Sequence, residues 1–153
     1  MKDIFIDNNV AKDFATPVED NYKKLIKWIL TYNKNENDAY LVVSTKLINE
    51  YYSSSQNCLK STAISNIVVK LTREGRINSF KNKDIKDFMK KEFQKKITKK
   101  LLSNTEDRWH IPIVLLSERK IALTIDGNFK HDLENFPKYN VIVSDCPSKI
   151  DYE

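Results

Sequence analysis

The stretch that decides the fold is Ile4-Phe5-Ile6-Asp7-Asn8-Asn9, three apolar residues followed by an acid and two asparagines. A short apolar run that ends in turn-forming residues predicts a buried strand and a tight connection. Outward from it, similar runs predict further strands at residues 39–43, 121–125 and 139–143. Helical patterns separate these runs, which is typical of a parallel sheet covered on both faces. We therefore expect a three-layer α/β/α fold with a central parallel sheet of about four to five strands.

The segments between the strands have apolar residues at helical spacing. They predict helices at residues 22–32, at 45–53 with Ser44 as the capping residue, and at a segment that Ser61 would cap and Gly75 would end. A further helix is expected near residues 106–118, which Pro112 must either start or kink. Because the chain shows no repeat, low-complexity linker or change of composition, residues 1–153 are expected to form one domain.

Composition excludes several classes of function. The 153 residues contain two glycines, which cannot supply a GxGxxG dinucleotide loop or a GxSxG nucleophile elbow. Two cysteines and two histidines lack the paired spacing of a zinc site and predict free thiols in a cytoplasmic protein. The longest run without a polar residue, at residues 111–116, is far shorter than the roughly 20 residues that span a bilayer, so no membrane partner is expected.

The positive charge is concentrated in one segment. Residues 81–100 contain nine lysines and three acids, a net charge of +6, whereas the whole chain has a net charge of +5. Apolar residues recur there at helical steps and predict one helix with a single buried stripe: Ile85, Phe88, Met89, Phe93, Ile97 and Leu101. The lysines then cover a solvated surface or attract phosphates, and charge alone does not decide between the two. Candidates for contacts with a nucleic-acid backbone are Lys90, Lys91, Lys95 and Lys96.

Four acids lie where they could share one site. Asp7 and Asp126 directly follow predicted strands, Glu50 lies two turns into the helix after the second strand, and Asp107 begins the helix before the third. Functional groups of open parallel sheets gather beyond the carboxyl ends of the strands. Carboxylates gathered there repel one another, and Mg²⁺ or Mn²⁺ would relieve that repulsion and activate water against a phosphodiester. Taken singly, each acid could instead be a turn former, a helix cap or a surface residue.

Four short motifs, in this order, resemble the acidic motifs of PIN-domain nucleases, which include the VapC-type toxins of toxin–antitoxin pairs. They are Ile4-Phe5-Ile6-Asp7-Asn8-Asn9, Ile48-Asn49-Glu50, Asp107-Arg108-Trp109-His110-Ile111 and Leu123-Thr124-Ile125-Asp126-Gly127-Asn128-Phe129. The resemblance implies a parallel sheet between helices and Mg²⁺- or Mn²⁺-dependent RNA cleavage. It also leaves open an antitoxin protein and a second copy of the chain as partners.

Carried over to this chain, the resemblance implies that the metal-binding and catalytic acids are Asp7, Glu50, Asp107 and Asp126, with Glu106 as a substitute for Asp107. Thr124 would orient Asp126 through its hydroxyl. Asn128 stands where some members have a further carboxylate, so it would be a weak or water-mediated ligand.

Two alternatives to a nuclease stay open from the sequence. One is a catalytically inactive PIN-like module that binds RNA or protein. The other is a phosphatase of the haloacid dehalogenase type, which needs an acid two residues after Asp7, where this chain has Asn9.

The aromatic residues and His110 have two interpretations each. His110 either contacts a phosphate or a carboxylate of the site, or is a hydrogen-bonded histidine at a helix boundary, the interpretation that we favour. Of Tyr51 and Tyr52, one is expected to line an RNA groove and the other to pack inward. Trp28 and Trp109 are predicted to be core residues.

Overall fold

The protein, described over residues 1–153 by a computed structural model, has one sheet of five parallel strands. The strands are β1 (Lys2–Ile6), β2 (Ala39–Ser44), β3 (Ile77–Phe80), β4 (Ile121–Leu123) and β5 (Ile142–Ser144), in the spatial order β3-β2-β1-β4-β5. In the centre, Ile4 pairs with Leu41 of β2 and Ile6 pairs with Leu123 of β4. This sheet confirms the predicted three-layer fold.

Helices cover both faces of the sheet. The connections contain α1 (Asn8–Ala11), α2 (Asp20–Leu30), α3 (Thr45–Ser54), α4 (Ile64–Arg73), α5 (Asn82–Glu92), α6 (Lys95–Thr98), α7 (Thr105–Arg108), α8 (Ile111–Leu116) and α9 (Gly127–Glu134). Connections between parallel strands are right-handed. Since β1, β2 and β3 follow one another in one direction across the sheet, α1 to α4 lie on one face, and since the chain then returns past β1 to β4 and β5, α5 to α9 lie on the other face. None of these helices has the length and apolar character needed to cross a membrane.

The sequence did not predict β3. Ile77-Asn78-Ser79-Phe80 has two polar residues in its middle, and as an edge strand it pairs only with β2. Its backbone pairing therefore does not depend on a continuous apolar run. The last strand was also misplaced, because Tyr139 and Val141 pack against the core from the loop before β5 rather than from a strand.

The lysine-rich segment is two helices rather than the single helix expected. The chain leaves helical geometry at Phe93 (φ −85°, ψ 59°), and Gln94 precedes the next helix. The apolar stripe nevertheless faces inward, since Ile85 and Phe88 are buried and Phe93 packs edge-to-face with Phe88, with ring centroids 6.3 Å apart. The stripe predicted the buried face correctly but not the break.

The segment at 106–118 is likewise divided, between α7 and α8. Pro112 lies in the first turn of α8, where a residue without a backbone N–H breaks no helical hydrogen bond. Ser44 caps α3 as predicted, accepting a hydrogen bond from the Leu47 N–H at 3.2 Å. The predicted cap at Ser61 was wrong, because α4 follows Ala63, but Gly75 (φ +71°) closes that helix as expected.

Candidate active site

The carboxyl ends of β1 and β4 are neighbours, and this adjacency brings the first and last predicted acids to one edge of the sheet. Asp7 directly follows β1, and its N–H donates to the Leu123 carbonyl of β4 at 2.9 Å. Asp126 follows β4 by three residues and caps α9, its Oδ1 accepting the N–H groups of Asn128 at 2.9 Å and Phe129 at 3.2 Å. Asp126 can therefore both cap α9 and belong to a site at this edge of the sheet.

Thr124 lies between these two acids. Its hydroxyl donates to Asp7 Oδ2 at 2.7 Å and accepts the Asp126 N–H at 3.1 Å. The sequence missed a second contact: the Asn9 side-chain amide donates to Asp7 Oδ2 and to the Thr124 hydroxyl, both at 3.3 Å. Together these bonds hold the Asp7 carboxylate at the end of β1.

Asp107 joins the group from α7. Asn104 caps this helix by accepting the Asp107 N–H at 2.8 Å. Burial raises the pKa of Asp107, and the negative charges of Asp126 and Asp7 raise it further. Asp107, Asp126 and Asp7 are therefore close enough to repel one another.

The surroundings of Asp7 also disfavour the charged form of its carboxyl. Burial raises the pKa of its carboxyl, the hydrogen bond from the Thr124 hydroxyl opposes that rise, and the charge of Glu50 adds to it. The charge of Glu50 thus acts on Asp7, and the charges of Asp126 and Asp7 act on Asp107.

Glu50 is held by a histidine 60 positions further along the chain. His110 is 1% exposed, and its Nε2 lies 2.8 Å and 3.1 Å from the two carboxylate oxygens of Glu50. Its Nδ1 is buried with no partner, so Nε2 is inferred to carry the proton and donate to Glu50, because a buried N–H without an acceptor would be more costly. His110 therefore combines the boundary position before α8 with a contact to a site carboxylate.

Glu106 is exposed and pairs with a lysine of α3. Its carboxylate bonds the Lys46 ammonium, and this hydrogen bond lowers the pKa of Glu106. Lys46 also lies 3.9 Å from Glu50, one helical turn away on α3. Lys46 thus already pairs with the charge of Glu106, whereas Asp107 has no ion-pair partner.

The residues fit a hard divalent cation in donor type and charge, although they do not form a ready-made site. No three His, Cys, Asp or Glu side chains converge as a metal-binding group. The available donors are carboxylate oxygens, which Mg²⁺ and Mn²⁺ favour. Burial is the main cause of the raised pKa values of Asp7 and Asp107, and neighbouring carboxylates add to it, so a bound cation would favour the charged form of both groups. The Asn128 side chain is exposed and makes no hydrogen bond within the protein.

The nine lysines of residues 81–100 are all exposed, and none of them forms an ion pair. They include Lys90 and Lys91 in the last turn of α5 and Lys95 and Lys96 in the first turn of α6. The lysines of this segment therefore form a positively charged surface that no ion pair within the protein neutralises. The segment starts at the same edge as the acids, because α5 follows the carboxyl end of β3.

The aromatic residues divide between core and surface. Tyr51 is fully buried and donates its hydroxyl to the Ile6 carbonyl, whereas Tyr52 is 43% exposed. Trp28 packs on Tyr152 with ring centroids 4.9 Å apart. Trp109 is only partly buried and lines an open groove beside Glu50, a position that no pattern in the sequence indicated.

Comparison with family models gives no match, and comparisons with curated proteins and with solved structures give none either.

Proposed function

We propose that the protein is a cytoplasmic, metal-dependent endoribonuclease that hydrolyses phosphodiester bonds of RNA. The observation that carries the proposal is the group of acids at one edge of a parallel sheet, in a chain that also has a lysine-rich segment without internal ion pairs. The acids supply ligands for a hard cation, and the lysines supply attraction for a polyanion.

In this proposal Asp7 and Asp126 anchor Mg²⁺ or Mn²⁺, and Glu50 and Asp107 complete the site or position water. A bound cation would supply Lewis acidity and positive charge at the scissile phosphate. The chain's own contribution is preorganisation: Thr124 and Asn9 fix the Asp7 carboxylate, and His110 fixes Glu50.

The strongest second candidate is a PIN-like module that binds RNA or protein without cutting it, which the unpaired lysines favour equally. A phosphatase with Asp7 as the nucleophile is less well supported. The residue in the place of its proton donor is Asn9, whose amide donates a hydrogen bond to Asp7 and cannot transfer a proton as a carboxylic acid does.

One experiment separates these candidates: RNA cleavage by the parent protein with Mn²⁺, with EDTA, and by the Asp7→Asn variant. We expect cleavage only for the parent with Mn²⁺. Asp151→Asn is the matched control, because Asp151 is exposed and its side chain makes no hydrogen bond within the protein. Cleavage that survives EDTA and Asp7→Asn would refute the metal mechanism, and RNA binding without cleavage would favour the binding module.

The partners of the proposed nuclease are a separate part of the proposal. A toxin of a toxin–antitoxin pair would inhibit growth when expressed alone and lose that effect when a small neighbouring reading frame is expressed with it. Sedimentation of the purified chain would show whether it forms a homodimer.

A further inference from the structure

An open groove of about 690 Å³ borders Glu50. One wall is the face of α3 that carries Asn49 and Ser53, and the other is formed by Asn82 at the start of α5 and by Trp109 after α7. Among its lining residues Trp109 is the one hydrophobic side chain. The groove is thus an open polar surface with a single aromatic side chain, bordered by one acid of the site, Glu50.

The polar side chains of the groove have unused hydrogen-bonding capacity. The side chains of Asn49, Ser53 and Asn82 make no hydrogen bond within the protein, although other asparagines, such as Asn66, bond the backbone. Each free amide offers both donors and an acceptor, which is what the edge of a nucleobase requires. The groove therefore provides pairing groups for a base rather than a cluster of charges for phosphate alone.

Trp109 supplies a flat surface beside these amides. Its side chain packs partly against the core and also lines the groove. Lys81 and Lys83, which are exposed and flank Asn82 in the chain, are candidates for contacts with the phosphates next to a bound base. Stacking on an indole requires a base that is not already paired and stacked in a duplex.

We propose that this groove binds one unpaired nucleotide of the RNA strand next to the scissile phosphate. Trp109 stacks on the base, and Asn49 and Asn82 contact its edge. The inference rests on the proposed nuclease function and deepens it. It makes single-stranded RNA the substrate class, and it makes these three side chains the source of base preference at one position beside the cut.

The test measures binding in EDTA, so that it does not depend on cleavage. The probes are short oligoribonucleotides of each single base, and the signals are their anisotropy and the quenching of Trp109 fluorescence in a Trp28→Phe background. We expect Trp109→Ala to weaken binding about 5- to 150-fold and Trp109→Phe to retain most of the affinity, because stacking on one aromatic ring has that strength. Asn49→Ala and Asn82→Ala should weaken binding of some bases more than others.

Asn140→Ala is the matched control, because Asn140 is exposed, makes no side-chain hydrogen bond and lies in the loop before β5. Thermal melting checks that each variant is folded. If Trp109→Ala and Trp109→Phe bind every oligonucleotide as the parent does, or if the parent binds none, the groove does not hold a base. Mn²⁺-dependent cleavage alongside the first of these results would leave the nuclease proposal standing. Base-dependent quenching without cleavage would support base binding in the groove and contradict the nuclease proposal.

Discussion

Replacing Lys90, Lys91, Lys95 and Lys96 by glutamine tests whether the lysine-rich segment holds RNA. All four side chains are exposed and free of ion pairs, so the substitution removes charge without breaking an internal contact. Each phosphate of single-stranded RNA that a lysine neutralises contributes about 0.7 to the slope of log K against log salt concentration. If all four contact phosphates, the slope becomes shallower by about 2.8. Between 50 and 200 mM salt the parent would then lose about 50-fold more affinity than the variant does.

The assay is fluorescence anisotropy of a labelled oligoribonucleotide over a salt series in EDTA, which prevents cleavage. The matched control replaces Lys23, Lys27, Lys34 and Lys60, four exposed lysines on α2 or in loops outside the lysine-rich segment. Both variants lower the net charge from +5 to +1, so a difference between them reports position and not total charge. An unchanged slope in the first variant, or an equal loss in the control, would refute the reasoning and leave these lysines as a solvated surface.

Three further predictions concern stability, each measured by urea or thermal denaturation in EDTA. Asp7→Asn should stabilise the protein at neutral pH by about 0.5–2 kcal/mol, since it removes a carboxylate whose pKa burial raises. The Asp7 carboxyl binds its proton more tightly in the folded state than in the unfolded state. The parent's free energy of unfolding should therefore fall, relative to the variant's, as pH rises from the ordinary pKa to the raised pKa. Equal pH profiles for the two proteins would contradict this. Asp132→Ala should cost about 2–5 kcal/mol, since the buried carboxylate accepts the N–H groups of Leu102 and Ser103, both at 2.8 Å, with Asp132→Asn as a milder comparison. Tyr51→Phe should cost about 0.5–1.5 kcal/mol through the lost hydrogen bond to the Ile6 carbonyl, and no loss would mean that water replaces it.

The Asp132 prediction also bears on how the site is assembled. The carboxylate of Asp132, on α9, fixes the chain at Leu102 and Ser103 immediately before Asn104, the residue that caps α7. Asp107 is on that helix, so the bonds between Asp132 and the chain before α7 help to position one acid of the site. The acidic group thus depends on contacts between α9 and the segment before α7 as well as on the ends of the strands.

The sequence predicted the elements whose signal is local. The apolar run at Ile4-Phe5-Ile6 indicated a buried strand, and both of its faces are buried in the structure. The cap at Ser44 and the end at Gly75 followed from residues at the helix termini themselves. The edge strand β3 escaped prediction because it pairs on one side only and keeps polar residues in its middle.

The composition and order of the residues determined an α/β chain with acids after its strands and one strongly basic segment. Only the tertiary structure decided the strand order, and with it the adjacency of β1 and β4 that brings Asp7 to Thr124 and Asp126. Likewise, the contact between His110 and Glu50 and the position of Trp109 in the groove depend on tertiary packing. The physical reason is that hydrogen-bonding and helical preferences act over a few neighbouring residues, whereas contacts across 60 or more positions depend on how the layers pack and leave no periodic pattern in the chain.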